Sequence, residues 1–431
     1  MNVIETDKYS DTAEYASACD KADILAVFRE GFCFPHFQGE PVQYFVGNSL
    51  GLQPKRVAEC IQHELDDWAT FGVDGHVHAQ RPWFSYHETL NERLQRVVGA
   101  ETGEVVVTHS LTTNLHLLMV SFYRPAGNRY KILCEHKAFP SDLYALESQL
   151  AFHGYSVEDA LIELKPREGE ACLRTEDILQ TIEDNKDTLA LVMMGGVNYY
   201  TGQLFNMKLI TEAAHRAGAI AGFDLAHAAG NVALELHNWN VDFAAWCSYK
   251  YLNSGPGGVS GLFVHNRHAQ SKLPRFAGWW GHNKQERFKM QPGFNPIAGA
   301  EGWQLSNAPV ISMAVHSAAL EDFEKAGMKE LVKKSRHLTG YLEYLIQCTI
   351  KKSGRNDIYI LTPSNPEERG CQLSLVIKGN GKKVYDYLSS HGVMADWREP
   401  EVIRLAPVPL YNSYKDVYVF SQKLEKALQE S

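Results

Sequence analysis

The runs Leu189-Ala190-Leu191-Val192-Met193-Met194 and Ala219-Ile220-Ala221-Gly222-Phe223 carry no polar alternation, and nothing else in the chain limits its fold as strongly. A strand with one face on water alternates apolar and polar side chains, so a run apolar at every position has to be covered on both faces. Strand-like runs recur at 104–108, 130–135, 189–196, 218–224, 243–248 and 260–265, with amphipathic helical segments at 112–122, 140–152, 175–184 and 207–217 between several of them. This alternation predicts an α/β fold: a three-layer unit with a mostly parallel central sheet and helices on both sides. After residue 310 the texture changes to one long helical pattern, a strand at 372–378, a helix at 383–391, a strand at 402–406 and a terminal helix. The chain is therefore expected to divide into a large unit at 46–310 and a smaller α+β unit at 311–431. Residues 1–45 form a leading segment, helical over 20–32, that packs on one of the two.

Composition removes several classes of function. With Lys plus Arg at 42 against Asp plus Glu at 51, the net charge is −9 and no basic patch is concentrated anywhere, so nucleic acid is not an expected partner. The longest apolar run, 189–197, falls far short of the roughly 20 residues that cross a bilayer, and the start of the chain is acidic, unlike a signal peptide. No membrane partner is expected, and the cytoplasm is the expected location. Eight cysteines never form a C-x-x-C pair and read as free thiols.

The densest chemistry lies between Gly222 and Gly258. One strand ends in Asp224, with His227 three residues on; the next ends in Ser248-Tyr249-Lys250-Tyr251 and runs into Asn253-Ser254-Gly255-Pro256-Gly257-Gly258. In open α/β sheets ligands bind outside the strand C-termini, so Asp224 and Lys250 are expected to share one site. A carboxylate beside an amine there points to pyridoxal phosphate, whose aldehyde takes a lysine as a Schiff base and whose ring nitrogen stays protonated beside an anion. His227 could hydrogen-bond the Asp224 carboxylate and orient it. A phosphate could rest on the strand-to-helix turn Thr108-His109-Ser110-Leu111-Thr112-Thr113-Asn114, since a helix N-terminus offers free N–H groups. No Walker-type loop occurs, and His76-Val77-His78 lacks a third ligand at a recognisable metal spacing. Gly47-Asn48-Ser49-Leu50-Gly51 matches the nucleophile elbow of serine hydrolases, but only 46 residues precede it, too few for the βα units and oxyanion loop that such an elbow needs.

With Asp224, His227 and Lys250 in place, the chain resembles the fold type I pyridoxal-phosphate enzymes, and among them the kynureninase family. The likeness spans almost the whole chain through long stretches: 44–54 (YFVGNSLGLQP), 81–83 (RPW), 111–116 (LTTNLH), 139–142 (FPSD), 200–203 (YTGQ), 246–253 (WCSYKYLN), 278–282 (GWWGH) and 404–412 (RLAPVPLYN). The resemblance implies hydrolytic Cβ–Cγ cleavage of L-kynurenine or 3-hydroxy-L-kynurenine to an anthranilate and L-alanine, in tryptophan catabolism and NAD biosynthesis. It makes Lys250 the Schiff-base lysine and general base, Asp224 the partner of the ring nitrogen with His227 and Asp142 in support, and Phe139 the stacking wall. Leu111, Thr112 and Tyr249 would hold the phosphate, Tyr249 also relaying protons. Trp279 and Asn307 would reach the phosphate from a second subunit, which implies a homodimer with active sites at the interface. Arg404 would clamp the substrate carboxylate, while Ser49, His76, Trp280 and Asn307 surround the aryl group. His76 with Asn307 resembles the polar arrangement of enzymes that favour the 3-hydroxylated substrate. Where many relatives carry a serine near the phosphate this chain has Gly195, which leaves only backbone for that contact. The nearest rivals are an aminotransferase or a cysteine desulfurase on the same fold.

Overall fold

The structure, a computed structural model, describes residues 9–430. Seven strands form the main sheet: β1 (Val105–Val107), β2 (Lys131–Glu135), β3 (Leu161–Leu164), β4 (Leu189–Gly195), β5 (Ile220–Asp224), β6 (Phe243–Trp246) and β7 (Gly261–Val264). Their order is 1-7-6-5-4-2-3; only β7 runs antiparallel to its neighbours β6 and β1. The unalternating runs are buried on both faces, as their composition requires. Val192, Met194, Ala221 and Phe223 enter one core with the helices α2 (Val57–Phe71), α3 (Glu88–Val98), α6 (Thr175–Asp184) and α7 (Met207–Arg216) around it. Leu191, Met193, Phe243 and Ala245 enter another against α4 (Leu111–Phe122) and α5 (Pro140–Phe152). The strand β3 is absent from the sequence reading. It is a half-exposed edge strand, so its apolar signal is short and broken.

The expected single helix after residue 310 is two, α8 (Val310–Ala326) and α9 (Met328–Ser353), separated by Gly327 at φ +73°, a conformation that ends a helix and suits glycine. A second sheet of four antiparallel strands holds β8 (Ile358–Ile360), β9 (Leu373–Ile377), β10 (Asp396–Arg398) and β11 (Val402–Leu405) in the order 8-9-11-10. Its core takes residues from α9, α10 (Gly381–Ser389) and α11 (Tyr414–Glu430). The leading segment departs from the reading too. The helix expected at 20–32 is instead α1 (Ala13–Ala22), followed by a 3₁₀ turn at Ala26–Gly31. Asp23 breaks it: its backbone is extended, its carboxylate accepts the Leu25 N–H at 2.9 Å, and Lys334 Nζ pairs with it at 2.7 Å. Ala16 of α1 joins the core of the second sheet, and Gln43–Tyr44 pairs parallel with Val393–Met394.

Candidate active site

A cavity of about 180 Å³ opens at the C-terminal ends of β2, β4 and β5 and beside the first turns of α4 and α5. Glu135, Gly195 and Asp224 are the last residues of their strands, and Tyr249 and Lys250 follow β6 into the same space. Parallel strands aligned in register bring their final residues to one level, which is why groups 89 positions apart in sequence meet here.

Lys250 Nζ lies 3.0 Å from His227 Nε2 and 5.7 Å from the Phe139 ring centroid. His227 is thereby committed to the lysine and not to Asp224, against the sequence expectation. Burial first, then the positive charges of Lys250, Arg404 and Arg398, hold its pKa well below the usual histidine range, so it stays neutral. Its Nδ1 is buried without a hydrogen-bond partner. Asp224 Oδ1 accepts the Ala226 N–H at 2.7 Å and shares a hydrogen bond with Asp142. Desolvation and the neighbouring Asp224 push Asp142 well above the ordinary carboxyl range, so Asp142 carries the shared proton. The backbone that aims Lys250 is fixed from outside: Gly51 N–H donates to Tyr249 O at 2.8 Å, and a Cβ at Gly51 would overlap Lys250 O and the Asn253 side chain.

At the far end of the cavity Ser110 sits in the N-cap position of α4 with extended backbone, but its hydroxyl bonds Thr113 Oγ1 at 2.9 Å instead of a backbone N–H. The N–H groups of Leu111 and Thr112 therefore stay available to an anion. Thr112 Oγ1 bonds Ser141 Oγ at 2.8 Å, and Tyr249 is half buried, its phenol pushed up by desolvation and then by Cys247. An anion cradle, a flat wall at Phe139, a paired carboxylate and a buried amine with an orphaned histidine nitrogen fit pyridoxal phosphate from end to end.

Glu135 escaped the sequence reading. Its carboxylate accepts the Gly195 N–H at 3.2 and 3.3 Å, and desolvation pushes its pKa up to about 7. The Gly195 backbone donor expected for a phosphate is therefore already taken. The signal was present: Glu135 ends an apolar strand run just as Asp224 does. Arg404 is buried, with its fork on Asp396 and Nη1 donating to Tyr199 O at 2.6 Å. Tyr199 lines the cavity; Arg404 does not.

Ser49, His76, Trp279, Trp280 and Asn307 also lie outside the cavity lining. His76, Phe84, Trp280, Phe288 and Trp279 instead form one aromatic cluster with centroids 4.7 to 5.8 Å apart. Asn307 and Ser49 are exposed. The Gly47–Gly51 turn is followed by Gln53–Pro54 pairing and not by a helix, so it is no nucleophile elbow. None of the eight cysteines lines the cavity. Among the described residues no helix is long and apolar enough to cross a membrane.

A family profile described as the kynureninase C-terminal domain matches residues 331–424. The chain is 55% identical to the kynureninase of Flavobacterium psychrophilum over 98% of its own length and all of that protein. It is 56% identical to that of Flavobacterium johnsoniae (97% and 99% covered) and 53% identical to that of Myxococcus xanthus (98% and 99%). Among solved structures it is similar to a cysteine desulfurase from Thermococcus onnurineus, with TM-score 0.74, 18% identity and 90% and 95% of the two chains covered. A cysteine desulfurase from Escherichia coli gives 0.75, 18%, 94% and 98%. At such identity these two likenesses bear on the fold alone, that of the fold type I pyridoxal-phosphate enzymes.

Proposed function

The chain belongs to the kynureninase family, and from that premise we propose how the residues around the cavity divide the work of cleaving kynurenine. The enzyme is a hydrolase of a carbon–carbon bond with pyridoxal phosphate as cofactor: kynurenine and water give anthranilate and alanine. When bound, the cofactor supplies an electrophilic aldehyde and a protonated ring that stabilises negative charge at the carbon beside the substrate nitrogen.

Lys250 would hold the cofactor through its Nζ and, as a free amine, would move the proton at the substrate Cα. The observation that carries this reading is its placement, 3.0 Å from a histidine that burial keeps neutral and within reach of the Phe139 face. A neutral neighbour accepts a hydrogen bond from the amine without adding positive charge. Asp224, hydrogen-bonded by Asp142, presents one negative charge to the ring nitrogen. Leu111 and Thr112 offer their N–H groups to the phosphate and Tyr249 its hydroxyl, while the Gly195 N–H is held by Glu135. Arg404 takes the substrate carboxylate bidentately, a geometry that suits its planar fork.

The aryl pocket is assigned to Ser49, His76, Trp280 and Asn307, with Trp279 and Asn307 brought to the phosphate by a second subunit of a homodimer. Two features favour this. These residues stand apart from the cavity within one chain, and Trp68, Val73, Val77, Trp279 and Phe288 leave a large apolar surface exposed. His76 Nδ1 donates to Val73 O at 2.9 Å, so in the neutral ring Nε2 is the acceptor left for a substrate hydroxyl. Both substrates are cleaved on this reading, the 3-hydroxylated one with the higher kcat/KM. The same reading divides the chain at residues 45 and 310, with α8 seated on the larger unit and α1 on the smaller. It places the protein in the cytoplasm.

Borohydride reduction of the loaded enzyme followed by peptide mass mapping tests the assignment. A pyridoxyl adduct on Lys250, absent in Lys250→Ala together with alanine release from 3-hydroxykynurenine, is the expected result; an adduct on another lysine overturns it. An aminotransferase would leave a lasting change in the visible spectrum after one substrate addition, whereas this enzyme returns to its starting spectrum.

A further inference from the structure

Arg404 is 1% exposed on β11, and Asp396 stands directly opposite it on β10. A guanidinium has five N–H donors. Arg404 Nε meets Asp396 Oδ1 at 3.2 Å, Nη2 meets Oδ2 at 2.7 Å, and Nη1 donates to Tyr199 O at 2.6 Å. Three donors are thus fixed by the protein, and one on each terminal nitrogen is left, the complement of a single carboxylate. Arg398, two residues along the same strand, also pairs with Asp396: its Nη2 donates to Oδ2 at 3.3 Å, and its Nε stands 2.9 Å from Oδ1 as an ion pair without hydrogen-bond geometry.

One carboxylate between two guanidiniums leaves a net charge of +1, whereas Arg404 with Asp396 alone would be neutral and attract an anion weakly. The pair also reaches the reacting end of the cavity electrostatically and through the cavity wall. After burial and Lys250, it is Arg404 and Arg398 that act on His227, and the Tyr199 carbonyl holding Arg404 belongs to a residue of the cavity wall.

We propose that Asp396 and Arg398 are positioning residues for the substrate carboxylate: Asp396 fixes the Arg404 fork, and Arg398 restores the unit of positive charge that Asp396 cancels. The inference rests on Arg404 being the carboxylate clamp. Free in solution, an arginine samples many rotamers, and ordering it at each binding event costs affinity; Asp396 removes that cost before the substrate arrives.

The test is steady-state kinetics of the loaded enzyme with 3-hydroxykynurenine for Asp396→Asn, Arg398→Met and Arg404→Met, with the visible spectrum and Tm recorded for each. Loss of one charged hydrogen bond predicts KM raised about tenfold or more in Asp396→Asn, with kcat changed by less than about threefold. That rise should occur although the substitution makes the site more positive. Inhibition by L-alanine should weaken in parallel, and inhibition by L-alaninamide, which lacks the carboxylate, should not. Arg398→Met should raise KM a few-fold, more at low than at high ionic strength. An unchanged or lower KM in Asp396→Asn would overturn the proposal, because Asp396 would then be a counter-charge only. If Asp396→Asn does not fold or load cofactor, Asp396→Glu answers the same question: a KM raised above wild type supports the proposal and an unchanged one overturns it. The premise fails separately, and visibly, if Arg404→Met leaves KM untouched.

Discussion

Three carboxyls at one end of a buried cavity cannot all carry charge, and the chain resolves this residue by residue. Asp142 keeps a proton against Asp224, and Glu135 is held near neutrality by desolvation while it accepts the Gly195 N–H. A Cβ at Gly195 would stand 3.0 Å from Glu135 Oε1, so the missing side chain is what admits the carboxylate. Glu135 has a folded pKa of about 7 against an ordinary 4.5. The folded state therefore binds more protons than the unfolded one between those values, and stability falls as pH rises from about 4.5 to about 7, by roughly 3 kcal/mol at most. In cofactor-free protein, Glu135→Gln should flatten the decline of Tm over that window, since an amide still accepts the N–H but does not titrate; an unaltered slope would assign the decline to other groups. Gly195→Ser should displace Glu135 and weaken cofactor binding, read as a higher dissociation constant in a spectral titration. Glu135 was as legible as Asp224, both being acids that close an apolar strand run. The partner of His227 was not, because three residues of sequence separation from Asp224 say nothing of where a lysine 23 positions downstream will fold back.

At the scale of elements, the site depends on how a loop and a helix end are set against the sheet. The 47–51 turn packs its backbone on the lysine turn, with Gly51 N–H on Tyr249 O and no room for a side chain. Gly51→Ala should push Lys250 out of line; overpacking costs of about 1–3 kcal/mol translate into cofactor affinity lowered by roughly tenfold, measured by equilibrium dialysis. A folded variant with wild-type affinity would show that the loop yields. The long periodic helices and the fully apolar strands were readable, because an amphipathic period or a two-sided apolar run is a local signal. The bounds of α5 and α6 match their expected spans. The edge strand β3 and the breaks at Asp23 and Gly327 were not readable, since a half-exposed strand mimics a loop and a helix stop depends on what its terminal groups meet.

At the scale of the whole molecule, a chain that leaves Trp68 63% and Val73 79% exposed carries a surface unsuited to water. If active sites are shared across a homodimer, Lys250→Ala and Asn307→Ala fail in different subunits of one site. Mixing the two inactive variants and allowing subunits to exchange should restore up to about a quarter of wild-type activity, because half of the dimers become hybrids with one intact site in two. No recovery, with exchange verified by mass tags, would place both residues in the same subunit's site. Trp68→Glu should yield a folded 48.5 kDa monomer by sedimentation with little alanine production. By itself the sequence determined the layered α/β architecture, the meeting of Asp224 and Lys250 at the C-terminal end of the sheet, and the cofactor class, because burial periodicity and strand-end position are encoded locally. Only the tertiary structure decided that His227 serves the lysine, that Glu135 fills the space above Gly195, and that Asp396 holds Arg404. Each of those is a contact between segments far apart in the chain or on neighbouring strands, chosen by which polar groups burial leaves without water and so compels to find one another.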